Sequence, residues 1–565
     1  MRVPHISDSQ MELLATRLGA IGVGRRDFLR VAAGLATMGA AGVNARPASA
    51  APKLAPGEKL AKEQHLRYGG GSWYEQDPSS HDYNKDLYCG GTQQLFAGLM
   101  KFNVDFEAVP YVAEKVTPNK DGSVWTFTLR KDSKWSDGSP CSARDFEYSF
   151  KRQLDPATAA PYASFLYDIK NGEAFNKKQI TDAKEVGVRA KDDWTLEVTL
   201  EGPRGYFPVL SAYSAALPGH KGSIEKYGDK WTEAANIVGN GPFVLDVWEH
   251  NKVIILKKNK HFFGAKDITL EKVTIPIIPI ASGVLPYENN EIDLTRLQTA
   301  DLKRFQSDPK TAKEVFRFPY PGTWYLLPQV TKPPFDNLKV RQAVAYAIPY
   351  QKIMDAVLFG LSKPMFGAPA GKTTEVAWPQ PHAFNTDIEK AKALMAEAGY
   401  ANGFETTLSF DLGFAGVNEP LCVLTQESLA QIGIKCTINK VPGATWRTEL
   451  NKKVLPLYTN VFSGWLDYPE YFFIWCYHGK NSIFNTMGYQ SKTLDGFVDG
   501  AVTAAANGDK AAYEKDVKGF VETAFADMPR IPIFQPYVNV AMQKNVTGYQ
   551  YWFHRRLDYR SFEKG

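Results

Sequence analysis

The sequence predicts an α/β protein folded as two lobes, and three observations carry that expectation. A strand-rich first part precedes a later part in which helices and strands alternate. The later helix–strand units are of the kind that builds a sheet covered by helices. No Gly/Ser-rich or Pro-rich linker separates the two parts, so the lobes are expected to be threaded through one another rather than strung in line.

Length and composition set the frame. A chain of 565 residues holds roughly three or four ordinary domains. With 44% apolar and 22% charged residues it can bury a core and is not a disordered tail. Sixty-six Lys and Arg against 61 Asp and Glu leave a balance too even for a nucleic-acid surface. Five cysteines cannot form a disulfide scaffold for a chain this long.

The first fifty residues read as an address. Gly24-Arg25-Arg26-Asp27-Phe28-Leu29-Arg30 is followed by thirteen small or weakly apolar residues, Val31 to Val43, and then by Ala48-Ser49-Ala50. A basic start, a short apolar run and an A-x-A site form a secretory signal, and the adjacent arginines before Phe-Leu resemble a twin-arginine signal. Thirteen residues are too few to anchor permanently in a bilayer. The best later stretch, Val273 to Val284, is interrupted by Pro276 and Pro279. The mature protein is therefore expected to start near Ala51, diffuse freely in an oxidising compartment and lie close to electroneutral.

Local patterning then gives the elements. Trp125, Phe127 and Leu129 alternate in a half-buried strand, as do Leu196, Val198 and Leu200. Between them Ser142-x-x-Asp145 resembles a capping box. Val253 to Leu256 and Val273 to Ile278 read as buried strands. Asp336-Asn337 can cap a helix through Val340, Val344 and Ala347. Thr386-x-x-Glu389 is expected to open another, with Ile388, Ala391, Met395 and Ala398 on one stripe and Gly399 stopping it. Residues 420–431 are expected to be a helix turning at Gly433 into the strand Ile434, Cys436, Ile438.

The chain offers no catalytic constellation. It contains no H-E-x-x-H, G-x-S-x-G or C-x-x-C. Gly367-Ala-Pro-Ala-Gly371-Lys372-Thr373 has one residue too few between its glycines for a phosphate loop and reads as a turn. Cys476-x-His478 lacks a second ligand pair and reads as packing. Ser136-Asp137-Gly138 reads as a turn, and Asn240-Gly241 as a tight turn between strands.

Several stretches taken in order resemble the family-5 extracellular solute-binding proteins of ABC importers, and among them the periplasmic oligopeptide-binding proteins. They include Leu95-Phe96-Ala97-Gly98-Leu99, Lys134 to Pro140, Ala143-Arg144-Asp145-Phe146 and Asn236 to Pro242. Pro333 to Asn337, Val340-Arg341-Gln342-Ala343, Ala396 to Tyr400 and Gly464-Trp465 follow in the family's order. The resemblance implies a two-lobe periplasmic-binding-protein (Venus-flytrap) architecture with an additional small domain. Lobe I is expected over 51–95, 205–320 and 530–565, the small domain over 96–204 and the other lobe over 321–529. It further implies a monomer without cofactor, metal or catalytic residues, which closes on a peptide or peptide-like solute and presents it to an ABC permease. An extended peptide would be held largely through its backbone, as in strand addition. The same fold could instead take a nickel chelate, an opine or a sugar, and the rival of another class is an exported cofactor enzyme.

The resemblance also nominates residues. Asp467, in Gly464-Trp465-Leu466-Asp467-Tyr468, resembles the aspartate that holds a ligand ammonium through charge-assisted hydrogen bonds; its other reading is a helix cap before Pro469-Glu470. Trp324 and Tyr325 fall where an aromatic cleft wall is expected. The chain departs from its relatives in having one residue fewer between Trp465 and Asp467. It also carries Phe462 where some relatives place an arginine.

Cys422 and Cys436 flank the turn at Gly433. Nine helical residues reach back ~13 Å and three strand residues forward ~10 Å, which permits a bridge if the side chains face each other. Five being odd, at least one thiol stays free or pairs with another molecule.

Overall fold

The computed structural model describes residues 59–565 except 72–73, 75–76, 86–91, 104–107, 162, 320–321, 365–384, 464–475, 481–483, 508 and 550–557. The signal segment with Arg25 and Arg26, and the Gly367–Thr373 loop, lie outside the described residues. The described chain forms two compact units, Pro319–Val538 and a second made of the residues up to Phe318 together with Asn539–Gly565. The first of these units therefore lies, along the chain, between the two segments of the second.

The unit up to Phe318 holds two four-stranded sheets. One has the order His65–Arg67, Lys272–Pro276, Val253–Lys258, Phe243–Glu249. The other is an antiparallel array of Ala113–Pro118, Val124–Leu129, Thr195–Thr199 and Val188–Asp192. Its register sets Phe127 opposite Leu196, and both are fully buried with Leu129 and Val198. The alternation read from sequence therefore selects the face that receives Phe146 and Phe150 of the helix Ala143–Leu154. That helix begins as its sequence predicts: the Ser142 backbone N–H donates to Asp145 Oδ2 at 2.7 Å.

Asn240-Gly241 is a correction. It is not a turn between strands but a clamp on a distant segment. The Asn240 carboxamide accepts from Ala97 N at 2.8 Å and donates to Ala97 O at 3.0 Å, and Gly241 N donates to Leu95 O at 2.8 Å. Asn240 is fully buried, so its amide has to find such partners.

Lys101 introduces a pH dependence into this unit. It sits over the Tyr111 ring at 4.9 Å, beside Arg560, which donates to Tyr111 Oη at 2.8 Å. Burial, reinforced by the Arg560 charge, pushes its ammonium down to about 8. Between pH 8 and the ordinary lysine range the unfolded chain then binds more protons than the folded one, so this group makes stability rise with pH there. Denaturant titrations of wild type and Lys101→Met are expected to show an advantage for the variant that is flat below pH 8 and shrinks above it. An advantage that is constant from pH 7 to 10 would contradict this.

In the Pro319–Val538 unit a six-stranded sheet has the order Lys363–Pro364, Ile531–Gln535, Gly322–Pro328, Leu457–Ser463, Phe404–Asp411, Ile434–Val441. Phe404–Asp411 is parallel to both neighbours, whereas Gly322–Pro328 is antiparallel to both of its own. Parallel pairing of Phe404–Asp411 with Ile434–Val441 requires a crossover, which the helix Ala415–Ala430 supplies. That helix starts before Pro420, not at it as the sequence suggested. Every residue of Gly322–Pro328 is buried, as in a strand covered on both faces.

One face of this sheet packs on helices. Leu338–Ala347 is capped by Asn337, whose side chain accepts from Lys339 N at 2.9 Å, and buries Val340, Val344 and Ala347 with Leu408, Phe410, Leu421 and Leu429. Ile388–Glu397 buries Ala391 and Met395, and the chain leaves it through Gly399 at φ +83°. Its cap is Asp387, accepting from Lys390 N at 2.9 Å, rather than Thr386. The Thr386 hydroxyl instead donates to Ile348 O at 2.6 Å. Both residue types cap well, and this tertiary bond decides between them.

Cys422 and Cys436 are both buried in this core as free thiols, so the bridge considered for them is not formed here. Burial pushes Cys422 up to about 12 and Cys436 up to about 11. The thiolate, the form that reacts, is therefore suppressed at neutral pH.

Candidate ligand-binding site

Successive strand residues point to opposite faces of a sheet, and this separates the two aromatic residues nominated together. Trp324 turns to the helical core. Its indole N–H donates to Asn418 Oδ1 at 2.9 Å, and its ring stacks on Phe534 with centroids 5.2 Å apart and planes at 10°. It belongs to the buried core of this unit, and the exposed Phe414 meets it edge-on with centroids 5.7 Å apart. Tyr325 points the other way.

The Tyr325 face is built by register. Thr323 lies opposite Phe462, Tyr325 opposite Asn460 and Leu327 opposite Tyr458, so these six residues share one side. Arg530, immediately before Ile531–Gln535, turns its guanidinium to the same side. It lies 5.5 Å from the Tyr325 ring centroid, 5.2 Å from that of Tyr477 and 5.8 Å from that of Phe462. Its Nη2 donates to the carbonyls of Cys476 at 3.0 Å and Phe484 at 2.6 Å. Phe484 also packs on Phe462 with centroids 5.3 Å apart. Tyr458 and Thr486 share a hydroxyl–hydroxyl bond of 2.7 Å.

Such an arrangement can hold flat or apolar groups against aromatic faces and attract negative charge to a fixed cation. Burial pushes the hydroxyls of Tyr325 and Tyr458 and the Cys476 thiol each up to about 12. None of the three is a nucleophile or base near neutrality. His478 is buried beside Cys476; its Nδ1 accepts from Lys480 N at 3.1 Å and its Nε2 lies 3.4 Å from Asp499 Oδ1. Among the described residues no group of three or more His, Cys, Asp or Glu is arranged to hold a metal ion. No described helix is long and apolar enough to cross a membrane.

Gly464, Trp465 and Asp467 lie outside the described residues. Of the nominated residues, Tyr325 alone is therefore seen on the arginine-bearing face. Sequence reasoning missed Arg530, Tyr477 and Phe484. The available signal was a single arginine at the head of the apolar run Ile531-Pro532-Ile533-Phe534, where a charge is out of place unless something holds it.

The fold is that of the periplasmic binding proteins. The chain belongs to the family of bacterial extracellular solute-binding proteins, family 5: residues 107–484 match the description "Bacterial extracellular solute-binding proteins, family 5 Middle". It is similar to the periplasmic oligopeptide-binding protein OppA of Escherichia coli (strain K12), with 33% identity over 508 residues, 87% of this chain and 90% of that one. The solved structure of the Escherichia coli murein tripeptide binding protein MppA superposes with a TM-score of 0.76 at 25% identity, covering 89% of this chain and 99% of the other. Haemophilus influenzae OppA in complex with RPPGFSPFR gives a TM-score of 0.75 at 25% identity, covering 90% and 100%. Arg530 falls outside the residues matched to the family description.

Proposed function

We propose that this protein is the periplasmic solute-binding component of an ABC importer, which binds oligopeptides or peptide-like solutes in an interlobe cleft and presents them to the membrane permease. In this reading it works as a monomer, without cofactor or turnover, after export by the twin-arginine route through Arg25 and Arg26. The observation that carries the reading is family membership, together with similarity over 87% and 89% of the chain to relatives named for binding oligopeptides and a murein tripeptide. The aromatic, cation-bearing face around Tyr325 supports it chemically. A small domain over 96–204 is part of the proposal, supported by the self-contained four-stranded sheet between Ala113 and Thr199. Asp467, with Trp465 and Gly464, is proposed to receive the peptide ammonium.

A ligand that binds only the folded state stabilises it by RT ln(1 + [L]/Kd), about 2.7 kcal/mol at a hundredfold excess over Kd. Thermal unfolding with a panel of peptides of three to nine residues, amino-free and amino-acetylated, is expected to show upward shifts. Asp467→Asn is expected to weaken the amino-free peptides more than the acetylated ones. Equal losses for both would return Asp467 to capping a helix. Shifts with a nickel chelate, an opine or a sugar but with no peptide would overturn the peptide reading.

A further inference from the structure

Arg530 carries a charge that nothing described in this chain neutralises. The residue is 6% exposed. The titratable groups that surround it are Cys476, Tyr477, Tyr325 and Tyr458, and burial pushes every one of them towards its neutral form. No described carboxylate forms an ion pair with it. Its Nε is buried without a hydrogen-bond partner, while Nη2 is pinned by two backbone carbonyls.

A buried cation is costly unless it is paired and hydrogen-bonded. Aromatic faces and carbonyl oxygens lower that cost without cancelling the charge. The neutral alternative is closed to arginine, which stays protonated in proteins. The two carbonyls also fix the plane of the guanidinium, so its remaining donors are oriented before any partner arrives. This is a preorganised half of a charge-assisted pair, and its complement is a carboxylate.

We propose that Arg530 is a specificity-determining receptor for a carboxylate of the bound ligand, set in the aromatic frame of Tyr325, Tyr477 and Phe462. This deepens the peptide reading and rests on it. A peptide offers that carboxylate at its carboxyl terminus or on an acidic side chain.

Calorimetry with wild-type protein and two matched pairs separates the sources. One pair is a tripeptide as free acid and as amide; the other is amidated tripeptides with central Glu and Gln. A preference on the order of 10- to 100-fold for the carboxylate member is expected in one pair, and the pair that shows it names the source. Arg530→Met should bring that ratio close to one whatever it does to the uncharged member, whereas a merely structural role would weaken both members alike and leave the ratio unchanged. If Arg530→Met does not fold, the wild-type ratios still decide the outcome. Ratios near one in both wild-type pairs would overturn this inference and leave peptide binding standing. A ratio unchanged in a folded Arg530→Met protein would overturn it too. Failure of every peptide to bind would remove the peptide reading and this inference together.

Discussion

Asp82→Ala is expected to lower the stability of the unit made of the residues up to Phe318 and Asn539–Gly565 by about 3–5 kcal/mol, the usual cost of removing one partner from a buried ion pair. The Asp82 side chain is 3% exposed and accepts from four donors. Arg152 Nη2 and Nη1 reach it at 2.6 and 3.3 Å, Trp231 Nε1 at 3.1 Å and the Asn84 backbone N–H at 2.9 Å. Truncation leaves the Arg152 guanidinium, whose side chain is 13% exposed, without its counter-charge, and strands a buried indole N–H. The loss is one of unpaired groups rather than of a surface attraction, so added salt should recover little of it. Denaturant unfolding followed through tryptophan fluorescence measures it. A cost below about 1 kcal/mol would mean that water replaces the carboxylate and that the pair is effectively exposed.

Gly241→Ala is the second large effect. A Cβ at this position would lie 2.4 Å from Leu95 C, 2.5 Å from Phe96 N and 2.7 Å from Gln94 O. All three are backbone atoms, so no rotamer change relieves the overlap. Either Gly241 N loses its bond to Leu95 O or the Asn240–Ala97 clamp opens. A cost of roughly 3 kcal/mol, at the upper end for overpacking, is expected. Gly496 supplies the control. It lies inside the helix Lys492–Asn507, where an added Cβ meets nothing within 4 Å, so Gly496→Ala should stabilise by up to about 1 kcal/mol through helix propensity alone. Equal responses of the two sites would show that Gly241 is not in contact with Leu95.

Much of the scaffold was legible because its signals are local. The capping exchange between Ser142 and Asp145 spans three residues, and the alternation of Phe127 with Leu129 is a property of any half-buried strand. Gly399 stops its helix by its own conformation. Motif order along the chain was enough to identify the family. Legibility ended where a residue's partner lies far away in sequence. Asn240-Gly241 has the composition of a turn, and only contact with Leu95 and Ala97 makes it a clamp. Thr386 and Asp387 cap equally well in isolation, and the carbonyl of Ile348 takes Thr386 away.

The amino-acid sequence by itself determined the class of fold and the family, because periodicity, turn chemistry and motif order need no knowledge of distance. The tertiary structure alone decided which side of a strand each aromatic serves. It sent Trp324 into the helical core and Tyr325 to the opposite face, and it brought Arg530 to Tyr325 across about two hundred residues of chain. The physical reason is that sheet register converts a one-residue difference into opposite faces, and register belongs to the pairing of strands, not to any strand alone.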